Sequence, residues 1–315
     1  MPGRYQIGTG VACSVAFALC VTAVSPAIAQ DDDKKVITTS VQTDDGWTLP
    51  ITYYRSGAGK ESPAVVLVHG KDGNRVLWKP LAEHLHDNGY AVVAVDLRKH
   101  GESQSAQNQR GGQRLTPFDY RAMAAQDLEA VKEFLMEEHH AERLNVRKTG
   151  IVCADTMCAV GVTFALRDWY KKPYPDAPTF ETRTPRGRDV RAIVMLSPSE
   201  GAPGMPMNNA VRELSVPAFG VSFFILVGEK DREDKNAADR AFKKVTGWPE
   251  YQNVPESKMN SFLREFPGVG QRGTDLFQPQ VARSTKIVER ITGFFDQKLR
   301  DLNDPWVDRH SRLSR

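Results

Sequence analysis

Apolar residues come along this chain in two rhythms. At 64–68, 90–95, 150–153, 190–196 and 223–227 they form short, almost unbroken runs. Runs of that length bounded by turn residues predict strands buried on both faces, as in the middle of a parallel sheet. Elsewhere they return every three or four positions. Leu77, Leu81 and Leu85 do so within 76–88, and Met123, Leu128, Val131, Phe134 and Leu135 within 120–139. That spacing predicts helices, with further ones over 236–245 and 281–299, the last an amphipathic closing helix. Residues 36–43 and 47–55 read as strands joined by the turn Asp44-Asp45-Gly46, and 259–266 as the final strand. The polar stretch 104–117 and the Pro-rich, charged stretch 171–188 read as loops.

Strands alternating with helices predict an α/β fold: a three-layer α/β/α sandwich on a mostly parallel sheet. One domain is expected over 36–300, followed by a tail over 301–315 with Trp306 as its docking residue. Ligand sites in such sheets lie at the carboxyl ends of the strands. The loops after Val68, Val95, Cys153, Leu196 and Val227 should therefore share one edge, with Leu67, Val93, Val152, Val194 and Leu226 buried below them.

The N-terminus changes the setting. Arg4 precedes a mostly apolar run over 11–24, and Ala27-Ile28-Ala29 follows as a small-residue cleavage site. This predicts a signal peptide over 1–29, cleavage near Ala29, and an exported protein, periplasmic or secreted. No later run is long enough to cross a bilayer, so no membrane span is expected after cleavage. With 315 residues, 40% of them hydrophobic, the chain can bury a large core. A net charge of +3 gives no footprint for nucleic acid or an acidic membrane. A small-molecule ligand is the partner that suits such a fold. Cleavage leaves two of the four cysteines, Cys153 and Cys158. Their spacing across a turn into a helix predicts two reduced, buried thiols. Two are too few for a protein zinc site; no metal and no cofactor is expected.

Candidate chemistry starts at 148–169. The apolar run ends in Cys153-Ala154-Asp155-Thr156-Met157, and Met157, Val160, Gly161, Phe164 and Ala165 then fall at helical spacing. Strand, tight turn and helix form the setting of a nucleophile elbow, whose pattern is G-x-S-x-G. Here the serine position holds Asp155 and neither glycine is present. Shifting by one puts β-branched Thr156 at the strained position, which is unfavourable. Aspartate tolerates positive φ better, so Asp155 is expected at the turn. The plainer reading is that Asp155 or Thr156 caps the helix.

Over 36–299 the chain resembles the α/β-hydrolase family. The resemblance is strongest over 64–103: strand, His69-Gly70, helix, strand, then Asp96-Leu97-Arg98-Lys99-His100-Gly101-Glu102-Ser103, similar to the family's D-x-R-x-H-G-x-S loop. Residues 223–231 are similar to the strand that ends in the catalytic acid. The resemblance implies an α/β-hydrolase fold without a full cap domain. It puts His69, Gly70 and Lys71 at the oxyanion loop, Asp155 at the nucleophile and Asp231 at the acid. His69 and His100 match positions that shape loops.

The departures set the functional expectation. The histidine should follow the last strand, but no histidine lies between Asp231 and Leu299; residues 267–274 stand there, and the later His310 is in the tail. His84, His86, His139 and His140 are expected to be solvated. Serine chemistry needs a base to take the proton. An aspartate nucleophile needs none for attack, but its ester would lack a base to activate water. The expectation is an exported pseudohydrolase that binds a ligand or partner. One alternative is an active hydrolase centred on Asp155, with Asp231, Glu229 or Glu200 as a carboxylate base. The other is a structural or interaction protein.

Overall fold

A computed structural model describes residues 36–105, 114–255 and 258–313. The expected leader over 1–29, and part of the loop over 104–117, lie outside the described residues.

Eight strands build the main sheet: β1 (Val36–Gln42), β2 (Trp47–Tyr54), β3 (Pro63–Val68), β4 (Ala91–Val95), β5 (Asn145–Ala154), β6 (Val190–Leu196), β7 (Ser222–Gly228) and β8 (Phe262–Phe266). Their order is β1-β2-β4-β3-β5-β6-β7-β8, and Gln104–Ser105 adds a short rung on β2. The pairs β1/β2 and β2/β4 are antiparallel and the remaining neighbours are parallel. The five apolar runs are side by side in the centre, as the pattern predicts.

Two helical layers cover the sheet. One holds α1 (Lys79–Asp87), α7 (Pro279–Thr285) and α8 (Ile287–Phe295); the other holds α2 (Pro117–Ala122), α3 (Leu128–His140), α4 (Cys158–Trp169), α5 (Met207–Leu214) and α6 (Ala237–Val245). Alternation along a strand feeds both cores. In β3, Ala64, Val66 and Val68 join the core under α3 and α4, while Val65 and Leu67 join the core under α1 and α8. Leu67, Val93, Val152, Val194 and Leu226 are all fully buried. Cys153 and Cys158 are free and buried, and burial pushes the Cys158 thiol well above its ordinary pKa.

Local chemistry moves several boundaries. The helix expected over 76–88 begins as a 3₁₀ turn, Arg75–Trp78, so Leu77 lies off the buried stripe and is 44% exposed. The helix expected from Tyr120 starts earlier, at Pro117. There Thr116 and Asp119 form a capping box. The single closing helix expected over 281–299 is broken at Lys286, at φ 51°, into α7 and α8. Apolar spacing continues across that break and cannot reveal it. Among the described residues no helix is long and apolar enough to cross a membrane.

The C-terminal segment returns to the amino-terminal edge of the sheet. Trp306 Nε1 donates to His139 O at 3.1 Å. Arg309 is 1% exposed and donates to Asp189 Oδ1 at 2.7 Å. Lys132 Nζ donates to Asp168 Oδ1 and Asp189 Oδ2 at 2.9 and 2.6 Å, and all four charged groups are buried. His139 is not solvated as expected. It is fully buried, accepts Val146 N–H at Nδ1 (3.3 Å) and donates from Nε2 to Val307 O (2.9 Å).

Candidate functional site

β5 ends at Ala154, which is still extended, and Asp155 turns the chain into α4 with φ at 55°. A non-glycine residue at positive φ costs free energy. The register in which Asp155, not Thr156, takes the strained position is therefore the one observed. Residues two positions either side, Cys153 and Met157, are both buried. The small residues that let neighbouring backbone come close are supplied from elsewhere. A Cβ on Gly70 would lie 3.7 Å from the Asp155 Cβ, and one on Gly273, itself at φ 54°, would lie 3.9 Å from it. The loops after β3, β5 and β8 thus converge at one sheet edge.

Arg272 is the centre of this edge. It lies in the loop after β8, in the stretch 267–274 that occupies the histidine position of the resembled family. Its Nε and Nη2 donate to Asp155 Oδ1 at 3.0 and 2.7 Å, and its Nη1 donates to Asp231 Oδ2 at 2.8 Å. Nη2 also donates to Ser199 Oγ at 2.8 Å, and that hydroxyl donates to Asp155 Oδ1 at 3.0 Å. One guanidinium therefore bridges the two carboxylates named from sequence. Its planar fork suits bidentate contact with carboxylates. Burial works against the Arg272 charge, but the hydrogen bonds and charges of Asp155 and Asp231 outweigh it and raise its pKa. The group stays protonated and can neither accept a proton nor relay one.

The structure brings together Asp155 and Asp231, and it adds Arg272 and Ser199, which sequence reasoning missed. Glu200 and Glu229, weighed as bases, have other partners: Arg240 at 2.8 Å and Gly268 N–H at 2.7 Å. The residues matched to the oxyanion loop divide by role. His69 is fully buried, accepts Leu97 N–H at Nε2 (3.2 Å) and donates from Nδ1 to Gly70 O (2.8 Å). Burial and the neighbouring His100 push its pKa down to about 3, so it stays neutral. His100 Nε2 meets Lys71 O, and the two rings lie 4.6 Å apart. These histidines hold loops together. Asp96 accepts Arg75 N–H and Glu102 N–H at 2.7 and 3.0 Å, and Arg98 Nη2 donates to Asp127 Oδ1 at 2.7 Å. The D-x-R-x-H-G-x-S stretch is thus used as a loop scaffold.

An open cavity of about 510 Å³ has Asp231 and Arg272 in its walls, and another of about 650 Å³ lies between the loops after β3 and β4, with Lys71, Asp72, Asn74, Lys99, Arg114 and Tyr120 among its walls. Burial, then the charges of Asp72 and Asp155, raise the Tyr120 pKa, so its hydroxyl stays protonated.

The model of the alpha/beta hydrolase fold family matches residues 63–146. Solved structures are similar over most of the chain. A dienelactone hydrolase from Anabaena variabilis aligns at TM-score 0.55 and 15% identity over 84% of this chain and 100% of its own. An esterase from Pyrococcus furiosus aligns at 0.57 and 15% identity over 85% and 92%. The alpha/beta hydrolase GrgF from a Penicillium species aligns at 0.55 and 12% identity over 84% and 99%. The family match and the strand order agree: this chain has the α/β-hydrolase fold, and its resemblance to that family is carried by structure as well as sequence.

Proposed function

We propose that this protein is an exported α/β-hydrolase-fold protein that has given up Ser-His-Asp chemistry and binds a small polar ligand at the carboxyl edge of its sheet. The observation that carries the reading is the Arg272 bridge between Asp155 and Asp231. A triad needs a neutral base between nucleophile and acid. A permanently protonated guanidinium in that place fixes both carboxylates as ion-pair partners and leaves no neutral base between them. The mixed-charge cavities of this edge, one walled by Asp231 and Arg272 and the other by Lys71, Asp72, Lys99 and Tyr120, suit a ligand with both charged and hydrogen-bonding groups.

A second reading is favoured by one observation. Asp155 has the backbone angle of an elbow nucleophile, and its bonds to Arg272 and Ser199 all fall on Oδ1. Attack by Oδ2 on an alkyl carbon would form an ester at Asp155 and release the leaving group. Hydrolysis of that ester needs an activated water, and the carboxylate this edge holds for that task, Asp231, is tied up in its ion pair with Arg272.

Short-chain esters, epoxides and haloalkanes assayed with wild type, Asp155→Asn and Asp231→Asn separate the two. The expected result is weak turnover that neither substitution changes. Wild-type turnover above about 1 s⁻¹ that Asp155→Asn abolishes would overturn the proposal in favour of an Asp155-centred hydrolase.

A further inference from the structure

A second cluster of chemically capable side chains lies far along the chain from this edge. His140 is the last residue of α3, and the C-terminal segment brings Asp308 and His310 against it. Each of the three offers one ligand atom, and these atoms lie within 4.8 Å of one another. The two imidazoles stack with centroids 3.7 Å apart and planes 19° from parallel. Asp308 Oδ1 accepts from His310 Nδ1 at 2.7 Å and from the His310 backbone N–H at 2.9 Å. The Nε2 atom of His140 is buried and has no hydrogen-bond partner. A buried imidazole nitrogen with nothing to bond is unfavourable, and neutral imidazole is a common transition-metal ligand.

The chain has seven histidines, and their surroundings separate this pair from the rest. His69, His100 and His139 bond to backbone groups at both ring nitrogens. His86 Nε2 faces Arg55 O at 3.0 Å. Among the described residues, only His140 and His310 meet a carboxylate in a group of three potential ligands.

We infer that His140, Asp308 and His310 form a binding site for a divalent transition-metal ion of the zinc class. Two imidazoles and one carboxylate are the donor set such ions take, and magnesium and calcium prefer all-oxygen sites. The scaffold suits the task. His140 is on a helix, and the segment carrying the other two ligands is anchored on either side of Asp308. Val307 O accepts from His139 Nε2 at 2.9 Å, and Arg309 is buried against Asp189. Asp308 and His310 are 36% and 49% exposed at the side chain, so they can turn toward an ion without repacking the core. The ion would fasten the last residues of the chain to the end of α3 and leave a coordination position for water.

The test uses tag-free protein stripped with a chelator, then titrated with Zn²⁺ against a chromophoric competitor. One equivalent should bind with a Kd of micromolar or tighter. His140→Ala, His310→Gln and Asp308→Asn should each weaken binding at least tenfold. His310→Gln changes an exposed side chain; its wild-type circular dichroism would show that lost binding is not lost folding. Zn²⁺ should raise the wild-type Tm, and that rise should vanish in His310→Gln. Co²⁺ in place of Zn²⁺ should give nitrogen- and oxygen-ligand bands alone. Failure of wild type to bind, equal binding by all three variants, or a thiolate-to-cobalt band assigning the ion to Cys153 and Cys158 would each overturn the inference.

Discussion

Two networks of aspartates bridged by basic side chains sit at opposite ends of the same strands. At the amino-terminal edge Lys132 pairs with Asp168 and Asp189, Arg309 pairs with Asp189, and every one of these side chains is at most 3% exposed. At the carboxyl edge Arg272 joins Asp155 and Asp231, with Arg272 15% and Asp155 27% exposed. The groups are alike and the surroundings are not. The lower network is a strut: charges taken wholly out of water persist only because each is matched. The upper one keeps a route to solvent and stands on a residue in a strained backbone conformation beside an open cavity. Strain and partial exposure collect where ligands are handled, and fully buried pairing collects where a segment must be locked down.

Breaking the lower network should have the largest effect. Asp189→Ala leaves Arg309 without its carboxylate and Lys132 with one partner. The expected loss is about 3–5 kcal/mol, read from urea unfolding; a loss under about 1 kcal/mol would show that these charges are solvated and the contrast is false.

Acid should weaken the upper end next. His69 is held neutral with a pKa of about 3 in the folded protein, below the value of about 6.5 expected unfolded. The unfolded chain therefore binds the extra proton first. Stability is full above pH about 6.5 and falls as pH drops toward 3, by up to about 1.4 kcal/mol per unit. Urea midpoints at pH 7 and pH 5 should differ in wild type and differ less in His69→Gln; an equal drop in both would assign the acid sensitivity elsewhere.

The smallest effect is expected at the clamp. Arg272→Gln should cost about 1–2 kcal/mol, between exposed and buried pairs, with ester turnover unchanged. A cost matching that of Asp189→Ala would erase the distinction between the two ends.

The sheet was legible because its central strands are buried on both faces, and continuous apolar runs such as 64–68 record that burial directly. Asp155 at the turn was legible from the tolerance of aspartate for positive φ. Arg272 was not. Residues 267–274 were marked only by the lack of a histidine. An arginine in a Gly-rich loop carries no sign of which carboxylates it will meet across 117 residues of sequence separation. The only available signal was its place after the strand whose neighbour leads into Asp231. The break at Lys286 left no mark in the apolar spacing. Arg309 and His310 sat in a polar stretch that composition alone makes look like solvated tail.

The burial of Arg309 also bears on what a protease could remove without harm. The guanidinium that completes the charge balance around Asp189 lies 120 residues further along the chain, beyond the last helix. A copy nicked between α8 and Arg309 keeps every strand of the sheet yet leaves the buried Asp189 with one cation, Lys132, in place of two. The segment after the last helix is therefore a working part of the core, and cutting it off removes a buried counter-charge as surely as mutating one.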